Sequence, residues 1–102
     1  MFAVGRRFGG RNLTLWCVAS RSPGPTRLGL SIGVKAGPAV RRNRLKRLAR
    51  EAFRLNRSRL ATGQDLVICI RPGCAWRDLA DAQGDLLDAA RKARLLAATD
   101  PR

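Results

Sequence analysis

The sequence predicts an α+β fold in which helices pack against a small sheet. Residues 38–60 and 76–96 repeat apolar side chains with the period of a helix, and residues 13–20 and 26–34 alternate with the period of a strand. Residues 64–71 contain the continuous apolar run Leu-Val-Ile-Cys-Ile, which is typical of a buried strand. The order is therefore strand, strand, helix, strand, helix, and a length of 102 residues predicts one domain.

The first two predicted strands lie in the N-terminal third of the chain. Residues 1–12 are rich in Gly and Arg, and we expect the last turn of a helix there, followed by a short or irregular strand. In the first long strand, one face carries Leu13, Leu15, Cys17 and Ala19 and the other carries Thr14, Trp16, Val18 and Ser20. In the second, we expect Leu28, Leu30 and Ile32 on the core face. A Ser-Pro-Gly-Pro loop separates the strands, which are expected to form a hairpin.

Residues 38–60 form a predicted basic helix with two different faces. At about 100° per residue, its apolar side chains gather on one side and most of its cations on the other. The apolar side consists of Val40, Leu45, Leu48, Ala49, Ala52, Phe53, Leu55 and Leu60. The polar arc consists of Asn43, Lys46, Arg47, Arg50, Arg54 and Arg57. Pro38 suits the first helical position and Gly63 suits a C-terminal cap, so both ends agree with a helix.

A strand and a second helix complete the predicted fold. The strand at 64–71 contains five consecutive apolar residues at 66–70, so we expect elements to cover both of its faces. Pro72-Gly73 ends it. The helix at 76–96 has a predicted buried stripe of Leu79, Ala82, Leu86, Ala89, Ala90 and Ala93.

The charge of the chain points to a polyanionic partner. Lys and Arg number 21 against 7 Asp and Glu, which gives a net charge of +14. A solvated helix face is the simpler reading of a charge run, but such a face usually mixes signs. Lys46, Arg50 and Arg54 instead repeat one sign at a spacing of four, where like charges repel. We therefore expect nucleic acid, or else an anionic membrane surface, as the partner.

The sequence offers little for catalysis by the protein alone. It has no His and no Cys-x-x-Cys pair, so a zinc site and a His base are not expected. Asp78, Asp81, Asp85 and Asp88 recur at helical spacing and could bind Mg²⁺, although acids early in a helix also complement its dipole. No apolar run approaches the roughly 20 residues of a membrane span, and we expect a cytoplasmic protein.

The segment 27–54 resembles the protein component of bacterial ribonuclease P. The resemblance rests on Arg42-Asn43-Arg44 at the head of a basic helix, continued by Lys46-Arg47, Arg50-Glu51 and Phe53-Arg54, with Arg71-Pro72-Gly73 after the later strand. It implies a mixed sheet of three to four strands whose βαβ crossover is left-handed, an exception to the usual hand. It also implies a catalytic RNA subunit, which removes the 5′ leader of precursor tRNA with Mg²⁺.

The resemblance assigns two sets of site residues. The RNA-binding set is Arg42, Asn43, Arg44, Lys46, Arg47, Arg50 and Arg54. The leader cleft that the resemblance implies would consist of Phe2, Trp16, Ser31 and Lys35, although core packing explains the two aromatic residues about equally well. No catalytic or metal-binding residue is expected in the protein, because Mg²⁺ is bound mainly by the RNA. The implied partners are that RNA and precursor tRNA, with no membrane and no obligate protein partner.

The sequence departs from the family pattern in three places. It begins about where the first helix of the family ends, so we expect one wall of the leader cleft to be largely absent. Val34 and Pro38 stand where the family usually has basic residues. The alternatives are a general RNA-binding or ribosomal-type protein, a DNA-reading helix, and a protein-only nuclease that depends on Asp81 and Asp85.

Overall fold

The structure, a computed structural model, describes residues 6–19, 26–60 and 63–95. Four strands and two helices follow one another as β1 (Arg6–Gly9), β2 (Leu13–Ala19), β3 (Arg27–Ile32), α1 (Ala39–Asn56), β4 (Gln64–Ile70) and α2 (Leu79–Lys92). Short 3-10 turns at Val34–Ala36 and Arg57–Arg59 flank α1. The α+β class is confirmed, and β1 is the short strand expected before residue 13.

The strands form one mixed sheet in the order β1-β2-β4-β3. Strand β2 is antiparallel to both β1 and β4, whereas β3 is parallel to β4. The predicted hairpin of β2 with β3 is therefore wrong, because β4 lies between them. Helix α1 joins the parallel neighbours β3 and β4, which confirms the βαβ crossover, and its left hand stays a prediction.

Both helices pack on one face of the sheet, where the core lies. The register aligns Leu15 with Ile68 and Cys17 with Leu66, so alternate residues of β2 and β4 enter the same layer. Leu45 from α1 and Leu86 from α2 cover them. Small residues let the two helices approach each other and the sheet closely, namely Ala49, Ala52, Ala82, Ala89 and Ala90. Burial of each large apolar side chain contributes about 1.5–3 kcal/mol to stability.

The opposite face of the sheet is uncovered within the described part of the chain. We call it the open face and define it by Trp16, Gly29, Ser31, Val67 and Cys69, which the strand register brings onto adjacent rows. Trp16, Val67 and Cys69 are half-buried there, whereas their neighbours toward the core are buried. No helix among the described residues covers this face of β4, and the expected cover of both faces stays a prediction.

The helix ends differ from the predicted bounds by a few residues. Helix α1 begins after Pro38, whose carbonyl accepts from the Arg42 amide at 2.9 Å, and ends at the buried Asn56, which donates to the Ala52 carbonyl at 2.8 Å. Val40 and Leu55 were expected on the apolar side but are 82% and 47% exposed. Both lie at the margins of the apolar arc, where a small rotation of the helix places a side chain in solvent.

Candidate nucleic-acid interface

The outer face of α1 carries a shallow groove with a volume of about 490 Å³. Its lining residues define what we call the cationic groove: Asn43, Lys46, Arg47, Arg50, Glu51 and Arg54. Because these positions recur at three- and four-residue intervals, the helix aligns them along one side while Leu45, Ala49 and Ala52 face the core. Five of the seven sequence-predicted RNA-binding residues therefore lie together.

Most cations of the groove lack an acidic partner. In residues 6–19, 26–60 and 63–95, no carboxylate lies within 4 Å of Lys46, Arg47 or Arg50. Arg54 differs, because its Nε donates to Glu51 Oε1 at 2.6 Å. This contact holds the pKa of Glu51 below its ordinary value and raises the pKa of Arg54. The groove therefore presents uncompensated positive charge, which an anionic ligand would neutralise.

The remaining two predicted residues, Arg42 and Arg44, lie outside the cationic groove near the head of α1. Arg42 is half-buried and donates from Nε to the Gly37 carbonyl at 3.0 Å. Arg44 borders a second shallow concavity with Val40 and Arg47, and its Nη2 donates to the Arg77 carbonyl at 2.7 Å. A guanidinium held through one nitrogen keeps further N–H groups for a ligand.

Arg41 belongs with these two residues and was missed by sequence reasoning. Its Nη2 donates to the Cys74 carbonyl at 2.6 Å, so three arginines at the head of α1 are each attached to a backbone oxygen. We call Arg41, Arg42 and Arg44 the anchored arginines. In the helical projection Arg41 falls on the apolar side, and no local pattern indicates that a distant loop would accept a hydrogen bond from it.

The open face brings together two of the four predicted leader-cleft residues. The Cys69 thiol interacts with the side chains of Trp16 and Ser31, and burial raises its pKa more than these contacts lower it. The Arg7 guanidinium lies 5.8 Å from the centroid of the Trp16 ring, a cation–π distance. Lys35 is exposed in the turn beyond β3, and Phe2 lies outside the described residues.

The four aspartates of the last helix have structural partners. Asp78 accepts from the Asp81 amide at 3.1 Å as the N-cap of α2, and Asp81 pairs with Arg77, which lowers the pKa of Asp81. Asp85 accepts from Trp76 and Asn12, and Asp88 forms ion pairs with Arg91 and Lys92. Across the described ranges, no group of three potential ligands could hold a metal ion.

A basic helix whose outer face carries mostly unpaired cations within the described residues, packed on a small mixed sheet, defines a class of α+β proteins suited to binding a polyanion. The chain belongs to the ribonuclease P protein family, because the family model Ribonuclease P matches residues 1–94. A ribonuclease P protein component from Natranaerobius thermophilus is 33% identical over 96 residues, which cover 94% of this chain and 83% of the relative. Its counterpart from Lachnoclostridium phytofermentans is 31% identical over 101 residues, covering 99% and 86%.

Solved structures of the family have the same fold. The RNase P protein from Thermotoga maritima superimposes with a TM-score of 0.80 at 27% identity, covering 89% of this chain and 86% of that one. The protein from Staphylococcus aureus gives 0.80 at 25% identity, with coverage of 91% and 84%. Membership of this family implies association with an RNA subunit. Neither described helix has the length and apolar character needed to cross a membrane.

Proposed function

We propose that this chain is the non-catalytic protein subunit of a cytoplasmic ribonuclease P. It binds the catalytic RNA and the 5′ leader of precursor tRNA, and so assists the endonucleolytic removal of that leader. The observation that carries the proposal is the cationic groove, in which Lys46, Arg47 and Arg50 have no acidic partner among the described residues. Membership of the ribonuclease P family supplies the identity of the RNA.

The composition of the groove favours RNA phosphates over base edges. Arginine presents a planar fork of donors that matches two phosphate oxygens, whereas base reading in a DNA groove requires side chains matched to individual edges. Among the described residues that line the groove, Asn43 has the only neutral polar side chain. Contacts of this kind recognise the shape and charge of a folded RNA, and their strength falls steeply with salt.

We assign the leader to the open face of the sheet. Trp16 offers a ring on which a base can stack, and Arg7 beside it adds positive charge. Stacking on an aromatic ring contributes about 1–3 kcal/mol per base and tolerates any base, which suits a leader of variable sequence. Ser31 and Lys35 would contribute polar and cationic contacts, and Phe2 stays part of this proposal as a sequence prediction.

Mg²⁺ belongs to the RNA subunit in this proposal. The four aspartates of α2 are the chain's densest acidic cluster, and each has a partner in the fold, as described above. The donor set therefore does not fit a resident magnesium ion. The protein contributes cations that neutralise phosphates where segments of the RNA subunit lie close to one another or to precursor tRNA.

Reconstitution with the RNA subunit tests the proposal. The wild-type chain is added to a bacterial ribonuclease P RNA at a Mg²⁺ concentration that limits cleavage by the RNA alone, and the release of the leader from precursor tRNA is followed on a gel. We expect the protein to accelerate leader release at the mature 5′ end. Equal binding to unrelated structured RNAs without acceleration would instead identify a general RNA-binding protein. Cleavage by the protein without RNA would identify a nuclease.

A further inference from the structure

The side chains of the anchored arginines Arg41 and Arg44 are held by a loop, and other side chains of the protein hold that loop in place. Residues 71–78 connect β4 to α2, and the carbonyls of Cys74 and Arg77 in this loop accept from Arg41 and Arg44 at 2.6 and 2.7 Å. The position of both guanidinium groups is therefore set by the position of the loop backbone. Whatever holds the loop also determines where these two cations lie on the surface.

One carboxylate oxygen holds the centre of that loop. Asp85 Oδ2 accepts from Trp76 Nε1 at 2.7 Å and from Asn12 Nδ2 at 2.8 Å. Asn12 Oδ1 in turn accepts from the Ala75 amide at 3.0 Å. Trp76 is only 2% exposed, so its indole N–H would lose a partner inside the protein if the carboxylate were removed. Asp85 thus links α2, the β1–β2 turn and the 71–78 loop.

The ends of the loop have further hydrogen bonds, one of which also involves Asn12. The Arg71 amide donates to the Asn12 carbonyl at 2.9 Å, and the Arg77 amide donates to Asp81 Oδ2 at 2.8 Å. Between these points, the segment that carries the Cys74 carbonyl is fixed by Asn12, Trp76 and Asp85. Burial raises the pKa of the Cys74 thiol, a backbone contact with Trp76 and the charge of Arg41 lower it, and the charge of Asp85 raises it, so Arg41 and Asp85 both lie near this thiol.

We propose that Asp85 is a positioning residue for RNA binding: through Trp76 and Asn12 it fixes the 71–78 loop, whose carbonyls hold Arg41 and Arg44 ready for RNA phosphates. The inference rests on the proposed function and deepens it. A guanidinium already held in place loses less rotational freedom when a phosphate binds. That saving corresponds to about 2- to 10-fold in affinity for each ordered side chain.

The sign of the effect separates positioning from simple electrostatics. Removal of an acid from a protein with a net charge of +14 makes it more cationic, so long-range attraction alone would tighten RNA binding. Loss of a positioning residue weakens binding instead. Asp88 provides the matched control, because it lies one turn further along α2 and pairs only with the surface cations Arg91 and Lys92 among the described residues.

The experiment measures the Kd of a bacterial ribonuclease P RNA for Asp85→Ala, Asp88→Ala and Asp85→Asn. We expect Asp85→Ala to raise the Kd about 3- to 10-fold, since it disconnects a coupled network. Asp88→Ala should leave the Kd unchanged or lower it. Asp85→Asn should stay close to the wild type, because its amide oxygen can accept both bonds. If Asp85→Ala is poorly folded by circular dichroism, Asn12→Ala replaces it with the same expected sign.

A double-mutant cycle distinguishes positioning from a purely structural role. In a chain that already carries Arg41→Ala and Arg44→Ala, the further change Asp85→Ala should alter the Kd by less than about 2-fold. An equal loss in both backgrounds, or tighter binding by Asp85→Ala, would overturn the positioning role. Failure of the wild type to bind the RNA would overturn the proposed function itself, so the two failures are distinguishable.

Discussion

Helices α1 and α2 pack side by side on the same face of the sheet, yet they differ in whether their charged side chains have partners of opposite charge. The aspartates of α2 cap the helix, pair with nearby cations or hold the 71–78 loop. Helix α1 has one acid, Glu51, and within the described structure three cations of its groove have no acidic partner. The paired aspartates of α2 therefore stabilise the fold, whereas the unpaired cations of α1 remain available to bind an anionic ligand.

The largest expected effect is on the free energy of unfolding, and it concerns the buried faces that both helices have. Leu45→Ala in α1 and Leu86→Ala in α2 should each lower the free energy of unfolding by about 2–5 kcal/mol, because both side chains are fully buried and leave a cavity. Val40→Ala, at an exposed position of α1, should change it by less than about 0.5 kcal/mol. Urea denaturation measures all three. A loss for only one leucine would contradict a core shared by the two helices.

The helices should differ most in RNA binding. The double change Arg47→Ala and Arg50→Ala should weaken binding of the ribonuclease P RNA by about 10- to 100-fold, since each cation neutralises phosphate. The matched change Arg91→Ala and Lys92→Ala in α2 removes the same charge, but these cations already pair with Asp88. It should cost less than about 3-fold. Equal losses, measured by filter binding at one salt concentration, would show that net charge alone matters.

The N-terminal cap should matter for α2 and not for α1. Asp78→Ala removes the side chain that accepts from the Asp81 amide, which should lower the free energy of unfolding by about 1 kcal/mol. Asp78→Asn should cost only a few tenths, because Asn caps equally well. RNA affinity should stay unchanged in both. Thermal denaturation with a parallel binding assay checks this, and a large loss of affinity would place Asp78 in the interface.

The smallest expected effect concerns the one acid of the cationic groove. Glu51→Gln releases Arg54 and should tighten RNA binding about 2-fold. Since the pKa of Glu51 is lowered, the ion pair is present above that pKa and is lost as the pH falls through it. The difference between Glu51→Gln and the wild type should therefore vanish at low pH. A difference that persists there would mean that Glu51 acts other than through its charge.

Helix periodicity predicted the cationic groove well, because both faces of α1 follow from local spacing. Asn43, Arg47 and Arg50 fall on one arc in projection and line one groove in the fold. The pairing of the strands was harder, since alternation defines the faces of a strand but not its neighbour. The apolar run of β4 was the available signal, because the most apolar strand of a sheet usually lies at its centre.

The anchored arginines and the Asp85 network could not have been predicted from local pattern. Asn12 and Asp85 meet across 73 positions of sequence, and the acceptors for Arg41 and Arg44 are backbone carbonyls, which carry no sequence signature. From the sequence, Asp85 is better explained as an acid that complements the helix dipole than as a magnesium ligand. Only the tertiary contacts show that it accepts from Trp76 and Asn12.

The salt dependence of RNA binding tests most directly the claim that the unpaired cations of α1 contact RNA. The Kd of the ribonuclease P RNA is measured between about 50 and 200 mM salt for the wild type and for the chain with Arg47→Ala and Arg50→Ala. We predict that the slope of log Kd against log salt becomes shallower by about 1.5–2 in the variant, as expected for two lost phosphate contacts. Identical slopes would contradict the account, because these arginines would then not neutralise RNA phosphate.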